Sequence, residues 1–412
     1  MGKQTETPMQ PSVHRPMPQA PTSLRRYDLD WLRVFAILIL LFYHTGMMYV
    51  SWGWHIQSRE TSPFLEDVMR WLHRWRMPLL FFISGAGTYF ALRKFSRPDA
   101  GGPAPHPDRR YAVERFRRLF IPLVFGMFVI VPPQIYYEWL FRGRFSGSYA
   151  EFYPNVFGFE PYSDGGTGGA FSWHHLWFIA YLFLYSLISI PVFRWLRSEN
   201  GQRFTDRVSR LLVLPGGALW LMCVTILVSQ YVTRPFYPDE THALVDDWAY
   251  FVENLLLFWF GYLLISRREF WDVLTSQRRL FLAATVVFTL VLYGMRFVFS
   301  GEEIDRMFWV DFTYFSNSIC LMVASVLASV AYGYRYLNVD RPILPYLTEA
   351  VYPFYILHQT VIVVLGFYVL KLESGVFVGF WTVSLLSLLV CSAIYWWLIR
   401  PFRITRFLFG LK

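Results

Sequence analysis

Ten stretches of this chain are apolar over a length that can cross a lipid bilayer, at about 31–50, 77–93, 119–140, 173–193, 211–232, 249–266, 280–298, 312–333, 345–370 and 376–399. A helix needs about 20 apolar residues to cross hydrocarbon, whereas a barrel strand needs only about 9–11. Inside lipid no water satisfies backbone N–H and C=O groups, so a spanning segment of this length is helical. The second and sixth stretches are the shortest. The pattern predicts an all-α integral membrane protein of about ten transmembrane helices, with residues 25–412 forming one membrane domain. No internal repeat and no separate soluble domain interrupts it.

The charges fit that reading. Only 16% of the 412 residues are charged against 55% hydrophobic, and the net charge is +9. With the N-terminus placed in the cytoplasm, the inside segments hold 27 Lys and Arg and the outside segments 10. That is the bias expected when both termini are cytoplasmic. Because the basic residues sit in loops rather than on one face, they speak for topology and against nucleic acid. The outside loops instead collect carboxylates beside aromatics, as in "RPFYPDETHALVDDW"; the Gly- and Tyr-rich segment before His174 reads either as a solvated connector or as a rim for a hydroxylated acceptor. Residues 1–24, rich in Pro, Gln and Thr, read as a disordered cytoplasmic tail with no apolar signal segment. Three cysteines, at least 71 residues apart within apolar runs, give neither a disulfide framework nor a CxxC metal site.

Polar residues inside such spans cost free energy and mark function or packing. Arg33 and His44 lie eleven residues apart in the first stretch, almost three helical turns, so they share a face about 16 Å apart along the axis. A neutral imidazole can take and return a proton, so His44 reads as a general base or as a packing histidine. Arg33 reads as a snorkelling anchor or as an anion ligand, and Asp28 and Asp30 before it as helix-capping carboxylates. In the second stretch, Pro78, Ser84, Gly85 and Gly87 allow close backbone approach, either for helix packing or to present amides to a ligand. The segment 93–118, with Arg93, Arg115, Arg117 and Arg118, is the densest basic cluster and suits phosphate groups, although it holds no P-loop. His174 and His175 are adjacent and therefore point to different faces, so no metal pair is expected. The ninth stretch carries Glu349, Tyr352, Pro353 and His358; Glu253, Asn254, Arg296 and Asn317 are weaker candidates for the same polar cavity.

These motifs resemble the acyltransferase-3 family of ten-helix membrane acyltransferases, in the glucan succinyltransferase-like (glucan biosynthesis protein C-like) branch. The residues that carry the resemblance are Arg33 and His44, "MPLLFFISG" (77–85), "RFRRLFIPL" (115–123), "HLWFI" (175–179) and "YPFYILHQ" (352–359). Val351 departs from relatives with a small hydroxylated residue there. The resemblance implies transfer of an acetyl or succinyl group from cytoplasmic acyl-CoA to a glycan or lipid-linked sugar across a bacterial inner membrane. It implies that His44 is essential; joined with the reading of the residues, it gives catalytic roles to His44, Arg33, His358 and Glu349, donor binding to Arg33, Ser84, Arg93, Arg115, Arg117 and Arg118, and acceptor binding to His175 and Tyr352. It implies no permanently bound cofactor, and a homodimer or other envelope-glycan biosynthesis proteins as partners. In this scheme Arg33 and His44 face one water-lined tunnel. The rival class is a secondary transporter with His44 and His358 as proton carriers, though paired broken helices and inverted repeats are missing from the sequence.

Overall fold

The computed structural model describes residues 25–96, 106–163 and 168–412. The tail 1–24 and part of the basic segment, 97–105, lie outside the described residues. The expected all-α class is found: 79% of the described residues are helical, and they hold no strand beyond one isolated bridge between Pro161 and Phe171.

The principal helices are α1 (Tyr27–Tyr49), α2 (Pro63–Phe95), α3 (Pro107–Phe141), α4 (His174–Ile188), α5 (Ile190–Leu196), α6 (Glu199–Leu212), α7 (Gly217–Thr233), α8 (Trp248–Ile265), α9 (Arg278–Val298), α10 (Phe308–Tyr336), α11 (Leu344–Leu372) and α12 (Val376–Ile399). Among the described residues, seven are long and apolar enough to cross a membrane, or up to nine if the bent pairs α4–α5 and α6–α7 each count as one span. The sequence suggested ten. The difference is the stretch 77–93, which lies inside α2, a 33-residue helix whose first half, "PFLEDVMRWLHRWR", is heavily polar. Helix α2 starts where Pro63 follows Ser62, whose side chain accepts the Leu65 N–H at 3.3 Å.

Helix α1 packs against α2, α10, α11 and α12, so it runs through the middle of the bundle. That position explains how a helix can carry Arg33 and His44 without presenting them to lipid. The lipid-facing helices read differently. On α7, Trp220, Val224, Val228 and Val232 are exposed at four-residue spacing while Leu219, Met222, Cys223 and Ile226 are buried, an apolar stripe on the outside as well as the inside. Helices α9 and α12 are mostly exposed along their apolar lengths.

Segments assigned to the same side of the membrane meet in space. Asp108 pairs with Arg194 and Arg197, Arg118 with the Gly410 carbonyl, and Arg26 lies over Trp271 and Tyr334. At the other end Arg59 pairs with Glu373, His73 with Glu240, and the Trp173 indole with the His242 carbonyl. The bundle therefore has a basic end and an end rich in carboxylates and aromatics.

The tightest crossing joins α2 to α8. A β-carbon on Gly85 would collide with the Phe258 carbonyl oxygen, and one on Gly261 with that of Phe82. Two backbones touch here, so neither side can yield. Gly85→Val is expected to destabilise the protein by about 3 kcal/mol, read as a lowered melting temperature in detergent. Gly294→Ala, whose new β-carbon meets nothing within 4 Å, is the control and should melt as the parent does.

Candidate active site

Along α1, Arg33 and His44 keep different company. His44 Nδ1 lies 2.8 Å from His358 Nε2 on α11, with the two rings 5.0 Å apart and nearly parallel. His358 Nδ1 lies 2.7 Å from the Tyr355 carbonyl oxygen. A carbonyl only accepts, so Nδ1 of His358 carries the proton and its Nε2 is the acceptor. His44 must then donate through Nδ1, which leaves the lone pair on His44 Nε2. No hydrogen bond engages that nitrogen among the described residues. The imidazole is thus held in the tautomer a general base needs. Trp54 stacks on the other side of His44, with centroids 6.1 Å apart.

His175 completes the cluster from α4. Its ring stands edge-on to His358 at 5.3 Å, its Nε2–H donates to the Ile356 carbonyl at 3.0 Å, and Gln134 reaches its Nδ1 at 3.4 Å. With both nitrogens occupied, His175 orients the cluster rather than offering a free group to a ligand.

A polar chain missed in the sequence runs outward from this cluster. The Thr360 hydroxyl donates to the Ile130 carbonyl, and the Gln134 amide donates to Thr360 Oγ1 at 2.7 Å. Gln359 donates to the Gln134 oxygen at 3.1 Å and faces His55 Nε2 at 3.0 Å. His55 Nδ1 then donates to the fully buried Glu138 at 2.6 Å. One signal existed: Glu138 lies in the third apolar stretch, where a carboxylate is costly. His55 looked like an ordinary loop residue.

The basic end holds the other candidates. A cavity of about 890 Å³ is lined by Phe95, Arg109, Arg110, Arg117, Arg118 and the C-terminal residues 410–412, among others. Neither Arg33 nor His44 lines it, so the single tunnel expected from the sequence is not an open feature there. Arg33 pairs with Asp30 at 3.1 Å, and its guanidinium lies against Gly87, where any β-carbon would touch it. Gly87 therefore makes room for Arg33, a packing role rather than an exposed amide. Arg115 bonds Glu114 through Nε at 3.0 Å, and Arg118 reaches Glu114 and the Gly410 carbonyl, each at 3.3 Å. Arg115 and Arg118 are close enough to Arg33 to act on its charge.

Several sequence candidates fall elsewhere. Glu349 is bonded by Arg406 at 2.9 Å and by the Tyr395 hydroxyl at 3.1 Å, not brought to His44. Tyr352 packs beside Gly410, which puts it at the basic end rather than at an acceptor mouth, and its buried hydroxyl has no partner among the described residues. Arg93 is exposed and does not line the cavity. Ser84 sits one turn from Gly87, its carbonyl accepting from the Thr88 hydroxyl at 3.0 Å. Asn254 and Asn317 bond neighbouring carbonyls. Glu253 lines a separate cavity of about 30 Å³ with His73, Arg74, Arg234 and Glu240. In the loop just outside it, burial pushes Asp247 up to about 6 and His242 down to about 4.

His358→Gln tests the orienting bond. A side-chain amide leaves His44 free to turn, and the turnover number should fall about ten- to a hundredfold with the donor KM unchanged. A matching rise in KM would mean that His358 binds substrate instead.

A family model described as an acyltransferase domain matches residues 26–397. Among curated proteins, the glucans biosynthesis protein C of Escherichia coli strain K12 is 23% identical over 368 residues, covering 86% of this chain and 87% of the relative. Its namesake from Salmonella enteritidis PT4 is 23% identical over 369 residues with the same coverage. No solved structure matches.

Proposed function

The chain belongs to the acyltransferase family whose model spans residues 26–397, and from that premise we propose that it moves an acetyl or succinyl group from acyl-CoA to a hydroxyl of a glycan across a bacterial inner membrane. The donor's phosphates are held at the basic end by Arg117 and Arg118, which line the 890 Å³ cavity, with Arg115 and Arg33 nearby. The pantetheine arm, roughly the length of three helical turns, carries the thioester along α1 from Arg33 towards His44. The acceptor hydroxyl arrives from the other end. His44 Nε2 removes its proton as the oxygen attacks the thioester carbon, and the same proton passes to the departing CoA sulfur. The oxygen gains the acyl group, and no external reactant is required.

The observation that carries this reading is the hydrogen-bonded pair His44–His358, anchored on the Tyr355 carbonyl, which leaves an unprotonated nitrogen inside a membrane bundle. Acyl transfer needs such a base for the hydroxyl. The test is purified protein in liposomes with labelled acetyl- or succinyl-CoA and envelope glycans. Release of CoA together with label on the glycan is expected. Movement of a solute without consumption of acyl-CoA would transfer the histidines to proton carriage in a transporter.

A further inference from the structure

At the end away from the basic cavity, His55, Glu138 and His174 each bring one ligand atom to a common spot, all within 4.8 Å of one another. Glu138 comes from α3, His55 from the loop between α1 and α2, and His174 from the first turn of α4. The His55 and His174 rings stack at 4.7 Å, tilted by only 8°. Three features separate this from ordinary packing. His174 Nε2 is buried with no hydrogen-bond partner among the described residues, an orphan that costs free energy unless something fills the gap. His174 also adopts a left-handed backbone, φ 41°, which is unfavourable for a side chain with a β-carbon. Its Nδ1 is bonded to Ser172 Oγ at 2.7 Å, so the ring is clamped with the orphan nitrogen fixed.

We propose that these three side chains form a binding site for a zinc-class divalent cation, ligated by His55 Nδ1, one oxygen of Glu138 and His174 Nε2. Two imidazoles and one carboxylate are a donor set for Zn²⁺ and leave its fourth position open; Ca²⁺ and Mg²⁺ prefer oxygen alone. The carboxylate is steadied from outside, since Arg142 Nε lies 3.0 Å from Oε1 and the Tyr162 hydroxyl 2.9 Å from both oxygens. Metal ligands are commonly oriented by such contacts.

Entry of the ion is proton-balanced. In the metal-free arrangement His55 Nδ1–H points at Glu138. The single ring proton shifts by way of solvent to His55 Nε2, the freed Nδ1 lone pair takes the cation, and the imidazole stays neutral with no net proton lost. Gln359 then turns its amide so that its oxygen accepts from Nε2; the turn gives up its bond to Gln134, whose own bonds to Thr360 and His175 stay in place. The 2.6 Å separation of His55 Nδ1 and Glu138 Oε2 opens to about 3.3 Å around a tetrahedral cation with ligands near 2.0–2.1 Å. The proposal does not depend on acyl transfer, because the ion is read by its own presence.

The experiment uses the full chain purified in detergent with a tag that lacks histidine, incubated with Zn²⁺ and desalted. About one zinc per chain is expected by elemental mass spectrometry, together with a higher melting temperature in Zn²⁺ than in chelator. His174→Ala and Glu138→Gln should lose both signals, while His44→Ala should keep its metal. Cobalt substitution of the unmutated protein reads the site without any variant, through the visible band of four-coordinate Co²⁺. Absence of that band and of bound zinc in the parent overturns the proposal, as does stoichiometric metal that survives His174→Ala.

Discussion

His44→Ala is expected to lower the acyl-transfer rate about a thousandfold with little change in the donor KM, since a positioned general base contributes about 10²–10⁴. The expectation follows from the tautomer. His358 anchored on Tyr355 leaves His44 Nε2 as the acceptor, and among the described residues no other basic group pairs with His358 Nε2. His44→Gln should be nearly as damaging, because an amide can hold the bond to His358 without accepting the hydroxyl's proton at a useful pKa. Stopped-flow or label-transfer assays at saturating donor separate the two constants. A His44→Ala protein that still acylates at the parental rate would remove this residue from the chemistry and leave the pair as packing.

The second large effect concerns the donor. Reversing charge at Arg117 and Arg118 together is expected to raise the acyl-CoA KM at least a hundredfold, taking about 1.4 kcal/mol for each tenfold loss. The turnover number at saturation should change far less, because neither residue approaches the reacting atoms. Both line the large cavity at the basic end, and the parental KM should rise with salt as phosphate contacts are screened. Arg118 also bonds the Gly410 carbonyl, so Arg118→Gln, which can keep one such bond, controls for a displaced C-terminus. If the KM stays flat in all these variants, the arginines serve topology alone.

How much of this could be read from residues alone differs by element. The apolar stretches located the helices, because hydrocarbon imposes length and composition on each segment separately. The facing of Arg33 and His44 followed from spacing on one helix. The pairing of His44 with His358 was approachable, since two intramembrane histidines invite one cavity. Glu349 shows where such grouping fails: nine residues separate it from His358, which is two and a half turns, the opposite face and about 13 Å away along the axis. Helical geometry itself argued against joining them, and the structure binds Glu349 to Arg406 instead. The chain through Thr360, Gln134, Gln359 and His55 was illegible for another reason. Its members come from different segments, and no spacing rule says which glutamine will face which histidine across a helix interface.

The central position of α1 has a consequence for how the protein is made. His44 leaves the ribosome 314 residues before its partner His358, a wait of about 15–60 s at 5–20 residues per second. Throughout that interval His44 lacks the His358 nitrogen that accepts its proton, whereas Arg33 already has Asp30 one turn behind it. On the proposed mechanism, a product halted before the penultimate long helix arrives lacks the bond that orients His44.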